Sequence, residues 1–185
     1  MCCDRFDDVL DDLETLSDVG SLLASLPQEA EVDRRLFEDA RIIPADEHAP
    51  MAPIEEMMSM VSEAETFRGY SNTILPMYVD FFHRHTMEGD LDSTLVLSEA
   101  VMEVARRDYP DRLEDLLRSE RCTLYETPVA LQYGIAVADQ RVVGVSIRDA
   151  SNRLQGGFLN RQPEALAWAG ERLDELIAES EPLEP

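Results

Sequence analysis

Between residues 41 and 178 the hydrophobic period switches repeatedly, and this switching does most to limit what the chain can fold into. Strand-like runs at Arg41-Ile42-Ile43, Thr66 to Ser71, Leu91 to Leu97 and Thr123-Leu124-Tyr125 alternate with stretches of helical spacing. Four helical stretches open at a proline: Pro53, Pro76, Pro110 and Pro163. Proline suits the first helical position because its missing N–H would have no partner there. After Pro53, residues Ile54, Met57, Met58 and Val61 define one amphipathic face. Met57, Met58 and Met60 read as adaptable core. The helix from Pro76 carries Tyr78, Val79, Phe81, Phe82 and Met87 and closes at Gly89, a favoured residue after a helix end. Ser98 is placed to cap a helix over Glu99 to Arg107. Leu113, Leu116 and Leu117 follow Pro110, and Leu166, Ala169, Leu173, Leu176 and Ile177 follow Pro163.

Tyr133 to Ala138 and Val142 to Ile147 flank Asp139-Gln140-Arg141 and read as an antiparallel hairpin. Gly144 within it marks a bulge or a close approach. Residues 152–161 give an ambiguous pattern, with a short strand near Phe158-Leu159. The expected fold class is α/β, with a mixed sheet sandwiched by helices and an N-terminal helical extension. The expected division is a helical extension over 1–40, an α/β domain over 41–180 and a loose acidic tail over 181–185.

In the extension, Phe6, Val9, Leu13 and Leu16 step by three, four and three, the spacing of one helix face. These four are the candidate oligomerisation residues; the alternative is packing against the chain's own domain. Leu22, Leu23 and Leu26 offer a second short apolar face before Pro27.

Charge bears on where such a fold is stable. The chain has 185 residues, with 39 Asp and Glu against 16 basic residues, a formal charge of −23. All the basic residues are arginine. Without lysine there is no Walker-A lysine, no pyridoxal Schiff base and no His-x-Lys phosphodiesterase motif. Such a charge repels itself in dilute buffer, whereas molar salt shortens the screening length to about 3 Å. The composition therefore reads as a salt-adapted cytoplasmic protein. Disorder is disfavoured because periodic apolar segments run through the chain. No run of eighteen apolar residues spans a membrane, and the N-terminus is acidic, unlike a secretory signal. Cys2, Cys3 and Cys122 form no disulfide framework and no metal-binding spacing.

No catalytic motif stands out. His83 and His85 lie two apart on one helix and point in different directions, and His48 falls in a loop, so no metal site and no cofactor is expected. Glu126 and Asp139 are readable as catalytic, but a solvated acidic surface explains them more simply. Arg34-Arg35 and Arg106-Arg107 sit among acids, which argues against nucleic-acid contact by this chain. The remaining class is a binding module. Ligands of open α/β sheets lie beyond the carboxyl ends of parallel strands. That rule selects Ser71, Asn72, Thr73, Ser98 and Glu99, with Tyr125 and Gln132 on the same rim.

Four segments in order carry a resemblance: Ile74-Leu75-Pro76-Met77-Tyr78-Val79, Asp108-Tyr109-Pro110, Ala130 to Val142, and Pro163-Glu164-Ala165-Leu166-Ala167-Trp168-Ala169. Through them the chain resembles the methanogenesis regulatory protein middle-domain family, the region after the winged helix in archaeal, chiefly haloarchaeal, transcriptional regulators. Its general shape is also similar to sensor domains of phospholipase-D-like architecture. The resemblance implies an effector-sensing or dimerising regulatory domain, without the DNA-binding winged helix that such regulators carry first. The expected partners are a second copy or a full-length regulator, and a small-molecule effector. A different class stays open, a small-molecule hydrolase using carboxylates at the rim of the sheet.

Overall fold

In a computed structural model of the chain, residues 34–184 are described, together with Gly20, Leu22 and Ala24. The predicted alternation of strands and helices is present. A 3-10 turn at Arg34–Phe37 leads into β1 (Arg41–Pro44). Then come α1 (Ala52–Ser62), β2 (Thr66–Ser71), α2 (Pro76–Met87) and β3 (Asp92–Ser98). They are followed by α3 (Glu99–Asp108), α4 (Pro110–Arg118) and β4 (Cys122–Thr127). The meander β5 (Tyr133–Ala138), β6 (Val142–Arg148), β7 (Leu154–Asn160) precedes α5 (Pro163–Ala178) and β8 (Glu181–Pro182).

The eight strands form one mixed sheet in the order β1-β7-β6-β5-β2-β3-β4-β8. β2, β3 and β4 run parallel, and the remaining pairings are antiparallel. Each parallel step needs a crossover, supplied by α2 and by the α3–α4 pair. Alternate strand residues serve opposite faces. Phe67, Leu95, Leu124 and Ala136 pack with α1, α2 and α4. Tyr70, Val96, Ile135 and Val145 pack with α5. Ala165 and Ala169 are fully buried, so the first half of α5 lies close to the sheet. Leu173 and Leu176 fill the second half.

The hairpin at Asp139 takes its shape from the backbone. Asp139 and Gln140 both have positive φ, 50° and 52°, and the Arg141 N–H bonds to Ala138 O at 2.9 Å. This is the signature of the mirror-image turns that match strand twist. The Asp139 carboxylate accepts the Glu65 and Thr66 backbone N–H groups at 3.0 and 2.9 Å, tying the turn to the start of β2.

Several expectations need correction. α1 begins one residue before Pro53, at Ala52. Gly89 follows α2, but it has no left-handed φ; its need is space, since a Cβ there would lie 2.7 Å from His85 O. Gly144 marks a close approach to Met57, with its irregular neighbour further along β6 at Ile147/Arg148. The segment around Phe158-Leu159 is a full seven-residue strand. Its Gly156-Gly157 pair is required by crowding, because a Cβ at Gly157 would lie 2.7 Å from Val145 O. The acidic tail is not loose at its start. Glu181 and Pro182 pair with Glu126 and Tyr125 of β4, and Leu183 N–H bonds to Leu124 O at 2.9 Å.

The candidate oligomerisation residues Phe6, Val9, Leu13 and Leu16 lie outside the described residues. Leu22 is described and is buried in the α5-side core, where it meets Gly156. At that position the extension packs on its own domain. Leu36 is buried in the same core.

Candidate functional site

The sheet face carrying α1 to α4 does not close completely. Between it and the helices lies a cavity of roughly 140 Å³ with almost wholly apolar walls. Met57 and Val61 come from α1, Phe81 and Phe82 from α2, Val101 and Ala105 from α3, and Leu113 and Leu116 from α4. The floor is Gly69, Leu95, Leu124 and Ala136 of the sheet. Gly69 deepens the floor, since a Cβ there would lie 2.4 Å from the Phe67 ring. Phe67 and Phe81 each contact Phe82, with centroids 4.9 and 5.4 Å apart. A volume near 150 Å³ lined by such side chains is enough to hold a benzene-sized molecule.

Few polar groups reach this space. Ser71, Thr73, Tyr78, Tyr109, Arg112 and Ser146 line it. Arg112 is 43% exposed and lies in a chain of contacts that joins α2 to α4. Its Nη1 donates to His83 Nδ1 at 2.6 Å, and His83 Nε2 meets Asp115 Oδ2 at 2.8 Å. Because a guanidinium only donates, His83 Nδ1 accepts and the ring proton sits on Nε2 toward Asp115. Burial pushes the Tyr78 phenol up to about 12, against the pull of the nearby Arg148 charge. Arg148 is 7% exposed, its Nη1 donates to Asn152 O at 3.1 Å, and burial pushes its pKa below the usual arginine value.

The structure divides the residues selected from the sequence. Ser71 and Thr73 line the cavity at the carboxyl end of β2, where Ser71 Oγ donates to Thr73 O at 2.8 Å. Asn72 turns away and ties this end to Leu131 O. Gln132 lies near it in the chain; its carbonyl accepts the Arg148 N–H at 2.9 Å, and its Oε1 is buried without a hydrogen-bond partner among the described residues. Ser98 makes no side-chain cap of α3, contrary to expectation; its Oγ is buried and unpartnered among the described residues. Glu99 is exposed beside an acidic notch with Glu103, Glu126 and Glu181. Tyr125 points to the α5 side of the sheet, because its neighbour Leu124 already faces the cavity. Ser98, Glu99 and Tyr125 therefore do not join Ser71 and Thr73 in one site. Tyr78, Arg112, Ser146 and Arg148 were not selected. They come from α2, α4 and β6, and the sequence carries no local pattern linking those three elements.

Neither candidate carboxylate faces the cavity. Asp139 holds the hairpin, and the Thr66 N–H keeps its carboxyl below the usual range. Glu126 receives both Arg106 Nη atoms, at 2.9 and 2.5 Å. His85 stacks against Phe81 at 4.2 Å. Among the described residues no helix is long and apolar enough to cross a membrane.

A helix-flanked mixed sheet with an apolar cavity beneath its helices defines a domain of α/β sandwich class, and comparison with known proteins places it further. Residues 50–179 match the family model of the methanogenesis regulatory protein FilR1, middle domain, and the chain belongs to that family. It is thus a domain of a regulatory-protein family. No curated protein sequence matches it. Among solved structures it is similar to TrmBL2, an archaeal chromatin protein whose structure shows a mode of DNA binding. That match has a TM-score of 0.60 at 12% identity and covers 97% of this chain and 66% of that one. The chain thus spans just under two-thirds of TrmBL2. It is also similar to NucT from Helicobacter pylori, with a TM-score of 0.58 at 8% identity over 78% of this chain and 98% of that one. Nuc, a phospholipase D family member from Salmonella typhimurium, gives 0.56 at 11% identity over 80% and 99%. These likenesses concern the fold. The chain has no lysine and so no His-x-Lys motif.

Proposed function

We propose that the chain is the effector-sensing domain of a transcription regulator, and that the cavity between the sheet and α1 to α4 is where it receives a small molecule. The cavity of roughly 140 Å³ is the observation that carries this reading. Its walls come from four helices and the sheet, so an occupant touches all of them at once. A ligand shifts an equilibrium only by its differential affinity for two states. An occupant that bridges four helices has such a difference with any state in which they spread.

In this reading residues 1–40 are an extension, and residues 41–180 are the regulatory domain. The chain pairs with a second copy or with a full-length regulator through Phe6, Val9, Leu13 and Leu16. It works in a salt-rich cytoplasm, where screening relieves its charge. Deleting residues 1–18, which spares Leu22, turns a dimer into a monomer by light scattering. An unchanged mass contradicts the pairing.

Sensing is tested by a thermal-shift screen of small apolar molecules in molar KCl. A ligand that raises the melting temperature and is recovered chemically unchanged supports a sensor. Turnover that disappears on Glu99→Gln overturns it in favour of a carboxylate-dependent hydrolase.

A further inference from the structure

Arg148 is the group in this fold whose situation is least explained by packing. It is 7% exposed and lies at the end of β6, two residues beyond Ser146, which lines the cavity. Arg68, Arg106, Arg112, Arg121 and Arg172 each lie against a carboxylate. Arg148 has none among the described residues, although the chain holds 39 acids. Its hydrogen-bond partner is the Asn152 carbonyl, and the Tyr78 phenol lies beside it. A buried cation without a counter-charge is costly to keep in a fold.

The Tyr78 phenol lies beside this cation, and its hydroxyl finds no hydrogen-bond acceptor among the described residues. Tyr78 lines the cavity, as do Ser71 and Thr73. The apolar chamber thus carries hydroxyl groups, and a buried cation lies behind one of them, Tyr78.

We infer that the cavity takes a small amphiphilic acid, a hydrophobic body of about one ring carrying a carboxylate, with the carboxylate received at the Tyr78–Arg148 end. The inference rests on the cavity reading above and names its ligand class. The volume of roughly 140 Å³ sets the size of the body. The carboxylate supplies the acceptor that Tyr78 lacks and the charge that Arg148 lacks. A cationic amphiphile satisfies neither.

The test uses the full chain and three probes with one ring, the isosteric pair phenylacetate and phenylacetamide together with toluene, titrated calorimetrically in molar KCl. Phenylacetate is expected to bind at least about tenfold more tightly than phenylacetamide, the usual scale of a charge-assisted hydrogen bond. Arg148→Met abolishes that preference while toluene still binds. Tyr78→Phe, which keeps the ring and the packing, weakens phenylacetate by a larger factor than it changes toluene; it serves as the readout if Arg148→Met does not fold. Equal binding of phenylacetate and phenylacetamide overturns the ligand class and leaves the cavity reading standing. Failure of all three, toluene included, overturns both.

Discussion

At the scale of single residues, the glycines of the sheet report where the chain approaches itself. A Cβ at Gly157 would lie 2.7 Å from a backbone oxygen, Val145 O, which cannot move without breaking the β6–β7 ladder. At Gly144 the nearest atoms belong to the Met57 side chain, at 2.9 and 3.0 Å, and an unbranched thioether can swing away. Gly157→Ala is therefore expected to destabilise by about 1–3 kcal/mol in urea unfolding, and Gly144→Ala by less. Equal losses would contradict the assignment of backbone against side-chain crowding. Asp139 gives a second residue-scale expectation. Its folded-state pKa lies below the usual value, so the unfolded state binds the proton first. The stability it contributes is full above about pH 4 and is lost as pH falls through the folded value. Asp139→Asn keeps the turn residue type but removes that charge. The difference in urea midpoint between wild type and variant should be present at pH 7 and shrink toward pH 3. A difference that is the same at both pH values would show that the carboxylate charge is not what holds the turn.

At the scale of elements, the hydrophobic period made most of the architecture legible before any coordinates. The proline-led helices, the parallel strands and the Asp139 hairpin all follow from local signals. β7 and β8 do not, because their causes are not local. Gly156-Gly157 breaks the strand pattern for reasons set by Leu22, Ile43 and Val145, which lie far away in sequence. β8 is acidic and contains Pro182, and it is a strand only because the β4 edge offers it a partner. That cover has a consequence. Removing residues 181–185 uncovers the β4 edge and removes the bond from Leu183 N to Leu124 O. The truncated chain is expected to melt lower and to aggregate on concentration, since an open edge strand templates pairing. Unchanged melting and light scattering would mean that β8 adds nothing to the sheet. The candidate site was legible only in part, for the same reason. Ser71 and Thr73 follow from the rule about parallel strand ends, whereas Tyr78 and Arg112 reach the cavity, and Arg148 comes near Tyr78, only once α2, α4 and β6 have packed.

At the scale of the whole molecule, charge and cavity belong to one account. Acids occupy the outer surface, arginines pair with many of them, and Arg148 alone in the cavity region is left without a carboxylate among the described residues. The family match defines a regulatory-protein domain, and the proposed reading uses the opening between sheet and helices as the place where that domain receives a molecule. Filling the opening should remove the reading without disturbing the fold. Ala105 is 6% exposed on α3 and lines the cavity, so Ala105→Leu places three added carbons inside it. The most direct measurement is calorimetric titration of toluene into the wild-type chain and into Ala105→Leu, with circular dichroism confirming that both are folded. The account predicts one site per wild-type chain, with the negative heat-capacity change of apolar burial, and no binding to the variant. No binding to the wild type, or equal binding to both chains, would contradict it.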